Sequence, residues 1–246
     1  MKIRFLATAA TAIALTTSVM AADKPHWSYE GAGGPAHWGQ IAENFETCEA
    51  GDEQSPVDLT NAIKAEPEAI VFHWNKDADW TEVNNGHSIQ ANSENGGSIE
   101  LNGKTYKLVQ FHFHAPSEHA IDGRKFPMEA HFVHVADDGT IAVLGAMIEG
   151  GSDNGLFQKV MDSAPRSSGE TVNLGTANPA DIIPTGEHFY RYQGSLTTPP
   201  CSETVIWTLL KKPLKVSENA IAEFEALYSS NARPLQETGR RYILEH

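Results

Sequence analysis

The sequence predicts a single, mainly β domain, on three observations: short runs of alternating polarity, turn clusters between them, and little helical periodicity. The runs cover residues 88–91, 98–101, 104–109 and 110–114, each of strand length, since successive side chains on a strand face opposite sides. Asn95-Gly96-Gly97 and Asn102-Gly103 stand between runs and read as hairpin turns, because Asn and Gly tolerate the left-handed backbone such turns need. Residues 140–148 and 205–210 are more continuously apolar, as strands buried on both faces would be. Only two helices are expected. Ser217 can cap one with Ile221, Phe224, Leu227 and Tyr228 on one face, and another over 155–164 would stop before Pro165. Thirteen prolines and twenty glycines imply long, fixed surface loops.

Lys2 and Arg4 precede an uncharged apolar run over 5–15, after which residues 16–22 turn small and polar. That order predicts a secretory signal peptide over 1–21, cleaved near Ala21/Ala22. The apolar run falls short of the roughly 20 residues that span a bilayer, and no later stretch approaches that length. An uncleaved anchor is the alternative. With no Arg-Arg pair, the general secretion route is expected. Residues 22–246 then form one soluble domain in the periplasm or the medium, a monomer or a dimer, not inserted in the membrane. The net charge of −14 repels phosphate backbones and anionic headgroups, which argues against nucleic acid as a partner. Cys48 and Cys201 would meet an oxidising compartment. A disulfide between them would close a loop of some 150 residues, giving roughly 5 kcal/mol at most; two free buried thiols are the alternative.

His112 and His114 stand two apart, alternating with Phe111 and Phe113. In a strand, residues i and i+2 share a face, so both imidazoles project one way and both phenyl rings enter the core behind. Glu129-Ala130-His131-Phe132-Val133 repeats the alternation and can be a neighbouring strand, with His131 on the same face. Three neutral imidazoles and one open position describe a catalytic zinc site, whereas a structural site is normally closed by four ligands. An isolated His-x-His pair is weak evidence, because that spacing arises by chance on strands. The surrounding blocks change its weight.

Trp27-Ser28-Tyr29, Gln54-Ser55-Pro56-Val57, Asn84-Asn85-Gly86-His87, Gln110-Phe111-His112-Phe113-His114 and Ser117-Glu118-His119 resemble successive blocks of the alpha-class carbonic anhydrases. So do Glu129-Ala130-His131-Phe132-Val133-His134, Ile141-Ala142-Val143-Leu144-Gly145, Gly194-Ser195-Leu196-Thr197-Thr198-Pro199-Pro200 and Asn231-Ala232-Arg233-Pro234. The blocks keep the family's order over nearly the whole mature chain. The family is itself the type example of the three-histidine zinc site. The resemblance implies a large twisted, mostly antiparallel sheet with short peripheral helices, long loops, and zinc at the base of a cone-shaped cleft. It also implies the chemistry: reversible hydration of carbon dioxide to bicarbonate and a proton, by attack of zinc-bound hydroxide, with a histidine shuttling the proton.

The resemblance assigns roles residue by residue. His112, His114 and His131 match the Zn2+ ligands. Gln110 and Glu129 match acceptors that fix the ligand tautomers, whose loss costs roughly 10–100-fold in metal affinity or activity. Thr197 matches the residue that accepts a hydrogen bond from zinc hydroxide and donates its own proton to Glu118, which orients the nucleophile. Val133, Val143, Leu196, Val205 and Trp207 match an apolar wall suited to an uncharged substrate, and Thr198 is expected to contact bicarbonate. His87 matches the shuttle, since an exposed imidazole can pass a proton to buffer. His119 matches a buried structural histidine, and His26, His37, His73, His134, His188 and His246 read as satisfied or solvated. Two positions depart from many relatives: Ala115 stands where they carry Trp, and Gln90, two before Asn92, lies on a variable polar wall.

Without the resemblance, each residue has a plainer reading. Gln110 and Glu129 become strand-surface polars, Glu118 a surface carboxylate, Thr197 a turn residue, and the wall ordinary core. A cupin-type metalloprotein would use His112-x-His114-x-x-x-Glu118 as direct ligands to iron or manganese, but it needs a second motif that does not follow. A non-catalytic protein on the same scaffold would have no need to keep the three histidines together with Thr197 and Glu118.

Overall fold

The computed structural model describes residues 25–183 and 188–246, so the signal-peptide expectation over 1–21 lies outside the described residues. Two short strands come first, β1 (Asp58–Leu59) and β2 (Ile63–Lys64). Then come β3 (Val71–Trp74), β4 (Ala78–Asn84), β5 (Ile89–Asn92), β6 (Gly97–Leu101) and the long β7 (Lys104–His114). The brief β8 (Ala120–Ile121) precedes β9 (Met128–Val135) and β10 (Ile141–Gly150). The set closes with β11 (Thr171–Ala177), β12 (Phe189–Gly194), β13 (Val205–Val216) and β14 (Leu244–Glu245). Twelve of these strands form one sheet in the order β11-β4-β5-β7-β9-β10-β13-β12-β14-β2, with β6 beside β7 and β3 beside β6. Neighbours run antiparallel except β10 with β13 and β14 with β2, so the mainly β, mostly antiparallel expectation holds.

Residues 104–109 and 110–114 read as two runs because the strand carries a bulge. Leu108 stands opposite His134 and Gln110 opposite Val133, leaving Val109 without a partner. An extra residue shifts the side-chain phase. Tyr106 and Leu108 are buried before the bulge, and Phe111 and Phe113 after it. The bulge is what turns His112 and His114 away from the core that the phenyl rings enter.

The ladders line the site residues up in rows. One row reads Gln90, His112, His131, Gly145; the next on the same face reads Asn92, Gln110, Val133, Val143, Trp207. Gly145 sits opposite His131 for a packing reason, since a Cβ there would run into Leu209. Between these rows, on the other face, lie Glu82, Ala91, Phe111, Phe132 and Leu144. Two one-turn helices, α1 (Trp38–Ile41) and α2 (Thr47–Ala50), come early in the chain, and that face packs against the later helices α3 (Gly155–Ser163) and α4 (Glu218–Glu225). Burying each phenyl ring there contributes about 1.5–3 kcal/mol.

Both expected helices form, capped by Asn154 and Ser217, whose side chains accept from Phe157 N and Ala220 N, but the second ends at Glu225, so Leu227 and Tyr228 lie beyond it. One expected hairpin does not. Asn102 and Gly103, at φ 51° and 70°, turn β6 back onto β7 as predicted. Asn95-Gly96-Gly97 joins strands that are not partners: β5 and β6 both pair with β7, along its later and earlier parts. An eleven-residue strand has room for two short neighbours end to end, so the chain there runs on instead of folding back. The N-terminal turns, including Trp38–Ile41 and Thr47–Ala50, are too short to show a period of 3.6. Packing holds them instead: buried Trp38 donates from Nε1 to the carbonyls of Ser28 and Gly33.

Candidate metal centre

β7 delivers His112 and His114, and β9 delivers His131 opposite His112. One nitrogen from each ring lies within 4.8 Å of the others. The second nitrogen of each ring meets an oxygen. His112 Nδ1 donates to Gln110 Oε1 (2.8 Å), His114 Nδ1 to the Asn231 carbonyl (2.7 Å), and His131 Nε2 to Glu129 Oε1 (2.8 Å). None of these acceptors has a proton to give, so His112 Nε2, His114 Nε2 and His131 Nδ1 keep their lone pairs.

Burial holds His112 well below the usual imidazole range, helped by the two neighbouring imidazoles, and lowers His114 to about 4. Neutral rings are the form that ligates. Burial alone would raise Glu129, but His119 and His131 hold it well below the usual carboxylate range. The group fits a tetrahedral cation. His114 Nε2, on a side chain only 1% exposed, has no hydrogen-bond partner, and three nitrogen donors without a thiolate suit Zn2+ with one position open.

Glu118 lies against the triad, with Oε2 3.5 Å from His114 Nε2 and 3.9 Å from His131 Nδ1. Its Oε1 accepts from Arg233 N at 2.7 Å. Burial raises its pKa, opposed by His131, the Thr197 side chain and the Arg233 N–H. Lys125 Nζ donates to the Ser117 and Glu118 carbonyls (2.9 and 2.6 Å) and fixes that loop. Thr197 is 5% exposed and Thr198 half-buried, on the loop between β12 and β13. Val143, Val205 and Trp207 share one apolar cluster, with Val133 and Leu196 packed at its margin. His119 is satisfied elsewhere, bonding Glu129 Oε1 (2.7 Å) and the Tyr192 hydroxyl (2.6 Å).

His87 stands apart from the triad, stacked on Trp27 with ring centroids 3.7 Å apart. Burial lowers its pKa, and His26 lowers it further. It lines a groove of about 290 Å³ with Trp27, Tyr29, Tyr228 and Asn231. A larger groove of about 950 Å³, bounded by Glu68, Arg191, Arg241 and Tyr242, holds none of the candidate residues. Gln90 bonds Asn92 (2.6 Å) and Asn85 (3.2 Å), so the variable polar wall is internally tied. Beside buried Ala115, whose N–H donates to Asn231 Oδ1, the same Asn231 amide donates to the carbonyls of His87 and Phe113.

Asn231, Arg233 and Trp27 are the neighbours of the candidate residues that residue-by-residue reading passed over. All three stand in blocks that carry the family resemblance, which was the available signal.

Cys48 and Cys201 are joined, 153 residues apart. Cys48 lies in a short helix. Buried Arg233 donates to the Cys48 carbonyl (2.9 Å) and to Gln54 Oε1 (2.8 Å), and Gln54 donates to the Cys201 carbonyl (3.1 Å). The bridge therefore fastens the Thr197 loop to the residue that bonds Glu118. Losing such a link costs about 2–5 kcal/mol. Cys48→Ser is expected to melt about 5–15 °C lower, read by calorimetry. An unchanged melting temperature would remove the tether.

A eukaryotic-type carbonic anhydrase model matches residues 33–245. A carbonic anhydrase of Pectobacterium atrosepticum is 39% identical over 230 residues, spanning 92% of this chain and 93% of that one. Among solved structures, the alpha-carbonic anhydrase of Thermovibrio ammonificans, in complex with the inhibitor sulfanilamide, superposes with a TM-score of 0.87 at 38% identity. It covers 90% of this chain and 99% of its own. That of Photobacterium profundum gives 0.84 at 41% identity, covering 89% and 100%.

Proposed function

The chain belongs to the eukaryotic-type (alpha-class) carbonic anhydrase family, and from that premise we propose how its residues serve the reversible hydration of carbon dioxide. The observation that carries the proposal is the triad, in which three oxygen acceptors turn three imidazole lone pairs toward one point beside Glu118. His112, His114 and His131 would hold Zn2+. Bound there, the ion supplies Lewis acidity that brings the pKa of water to about 7, for which carbonic anhydrase is the standard instance.

Thr197 would donate its hydroxyl hydrogen to Glu118, whose Oε2 has no other hydrogen-bond partner, which would leave the hydroxyl oxygen to accept from the nucleophile and fix its direction. That role needs Glu118 ionised. His131, Thr197 and the Arg233 N–H all favour the anion against burial. Val133, Val143, Leu196, Val205 and Trp207 keep water from the carbon dioxide, and Thr198 contacts bicarbonate. His87 carries the proton out. Held below the ordinary imidazole pKa, it releases a proton to buffer readily. We further propose export by a signal peptide over 1–21 to the periplasm or medium, which the disulfide supports.

Stopped-flow hydration with metal analysis tests this. Activity is expected with one zinc per chain, to vanish on chelation and to return with added zinc. His87→Ala is expected to keep its zinc and lose about 10–100-fold of turnover in dilute buffer only, with imidazole restoring it. Activity that survives chelation would remove the metal. Equal depression in dilute and concentrated buffer would remove the shuttle.

A further inference from the structure

β4 turns Ala78, Trp80, Glu82 and Asn84 toward the core. Glu82 is out of place there: it is 0% exposed, in the row with Ala91 and Phe111. Its Oε1 has no partner, and its Oε2 lies 2.6 Å from Ser163 Oγ. Ser163 Oγ also lies 2.9 Å from the Lys159 carbonyl and 3.4 Å from that of Val160. A hydroxyl has one hydrogen, so serving a carboxylate and a helix carbonyl together divides it between two weakened bonds. A neutral Glu82 resolves the conflict. Its O–H donates to Ser163 Oγ, Ser163 donates to the Lys159 carbonyl, and no bare charge stays in the core.

The elements packed around Glu82 offer no compensating charge. β5 presents Ala91 and β11 presents Val172. On α3, the Lys159 amine is engaged by the Thr176 carbonyl and Asp162 accepts from Gln158. After α4, the Tyr228 hydroxyl donates to Asn84, and Asp79 of β4 itself accepts from Thr176 on the exposed side. Burial and Ser163 alone govern the Glu82 carboxyl.

We propose that Glu82 is a neutral acid on the acidic side of neutrality and, in that form, a positioning residue for the turn that carries His87. The proposal rests on reading His87 as the proton shuttle. Two parallel ties fasten β4 to the end of α3: Glu82 to Ser163, and Asn84 Nδ2 to the Pro165 carbonyl (3.0 Å). Asn84 Oδ1 in turn accepts from Gly86 N (3.0 Å) and the Tyr228 hydroxyl (2.8 Å), next to His87. Ionising Glu82 places a charge in the core and draws the Ser163 hydrogen off the helix carbonyl. The disturbance falls on the 163–165 seam and passes through Asn84 to the turn.

The sign of the pH dependence follows. Burial pushes Glu82 from 4.5 up to about 7, with Ser163 acting the other way. Below about 4.5 both folded and unfolded chains hold the proton, and the neutral-acid stabilisation is fully present. Between about 4.5 and 7 only the folded chain keeps it, so stability falls as pH rises and stays reduced above.

Glu82→Gln can still donate to Ser163 but cannot ionise. Melting wild type and Glu82→Gln from pH 5 to 8.5 is expected to open a gap of about 5–10 °C in favour of the variant at high pH. The Gly86 amide in nitrogen–proton spectra is expected to shift further across the same window in wild type than in Glu82→Gln, since what the titration of His87 itself contributes is common to both proteins. Should Glu82→Gln not fold, Ser163→Ala removes the one partner and should move the wild-type step to still higher pH. A gap equal at pH 5 and 8.5, with Gly86 shifting alike in both proteins, overturns the proposal. Failure of imidazole to rescue His87→Ala would instead sink the shuttle reading and leave these two measurements standing.

Discussion

Alanine at His131 is expected to lower carbon dioxide hydration by roughly 1,000-fold or more and bound zinc far below one per chain, and likewise at His112 or His114. Free water has a pKa of about 15.7 against about 7 for water on zinc, so loss of the ion removes nearly all nucleophile at neutral pH. No fourth histidine stands ready. His119, the nearest spare ring, is committed to Glu129 and Tyr192. The fold should survive, because His119 still pairs with the Glu129 carboxylate after His131 is gone. Stopped-flow rates, zinc content and melting temperature together check this. Near-stoichiometric zinc with retained activity in any of the three would remove that residue from the ligand set.

Thr197→Val separates orientation from metal binding. Valine keeps the shape but can neither accept from the nucleophile nor donate to Glu118. Misplacement of a reacting group costs on the order of 100-fold, and that loss is expected in kcat/KM with zinc unchanged. Glu118 should also become harder to ionise, because the Thr197 side chain is one of the groups that lower its pKa. Thr197→Ser should retain most of the activity. A valine variant as fast as wild type would end the orienting role.

Local alternation made the centre of the site legible. Spacing two in a strand fixes the shared face of His112 and His114, and a second Glu-x-His run supplies His131. The rest depends on contacts that no local pattern encodes. The Asn231 carbonyl reaches His114 from 117 residues away, and the parallel pairing of β10 with β13 brings Val143 beside Trp207. Hairpin chemistry at Asn95-Gly96-Gly97 misled, because turn residues show that a strand ends and not which strand comes next to it. Glu82 gave no signal either. On an alternating strand a carboxylate looks solvent-facing until the neighbouring positions are known to point inward.

The bulge at Val109 divides β7 by parity. Before it, even-numbered residues face the core; after it, odd-numbered ones do. A residue inserted between Gln110 and His114 would send an imidazole into the core and a phenyl ring into the cleft, an error no rotamer can repair. The same insertion in the hairpin at Asn102-Gly103 changes only the length of an exposed turn, and the strand beyond keeps its phase. Tolerance to length change should therefore switch abruptly within a dozen residues, which makes Val109 the frame mark from which the metal site is counted.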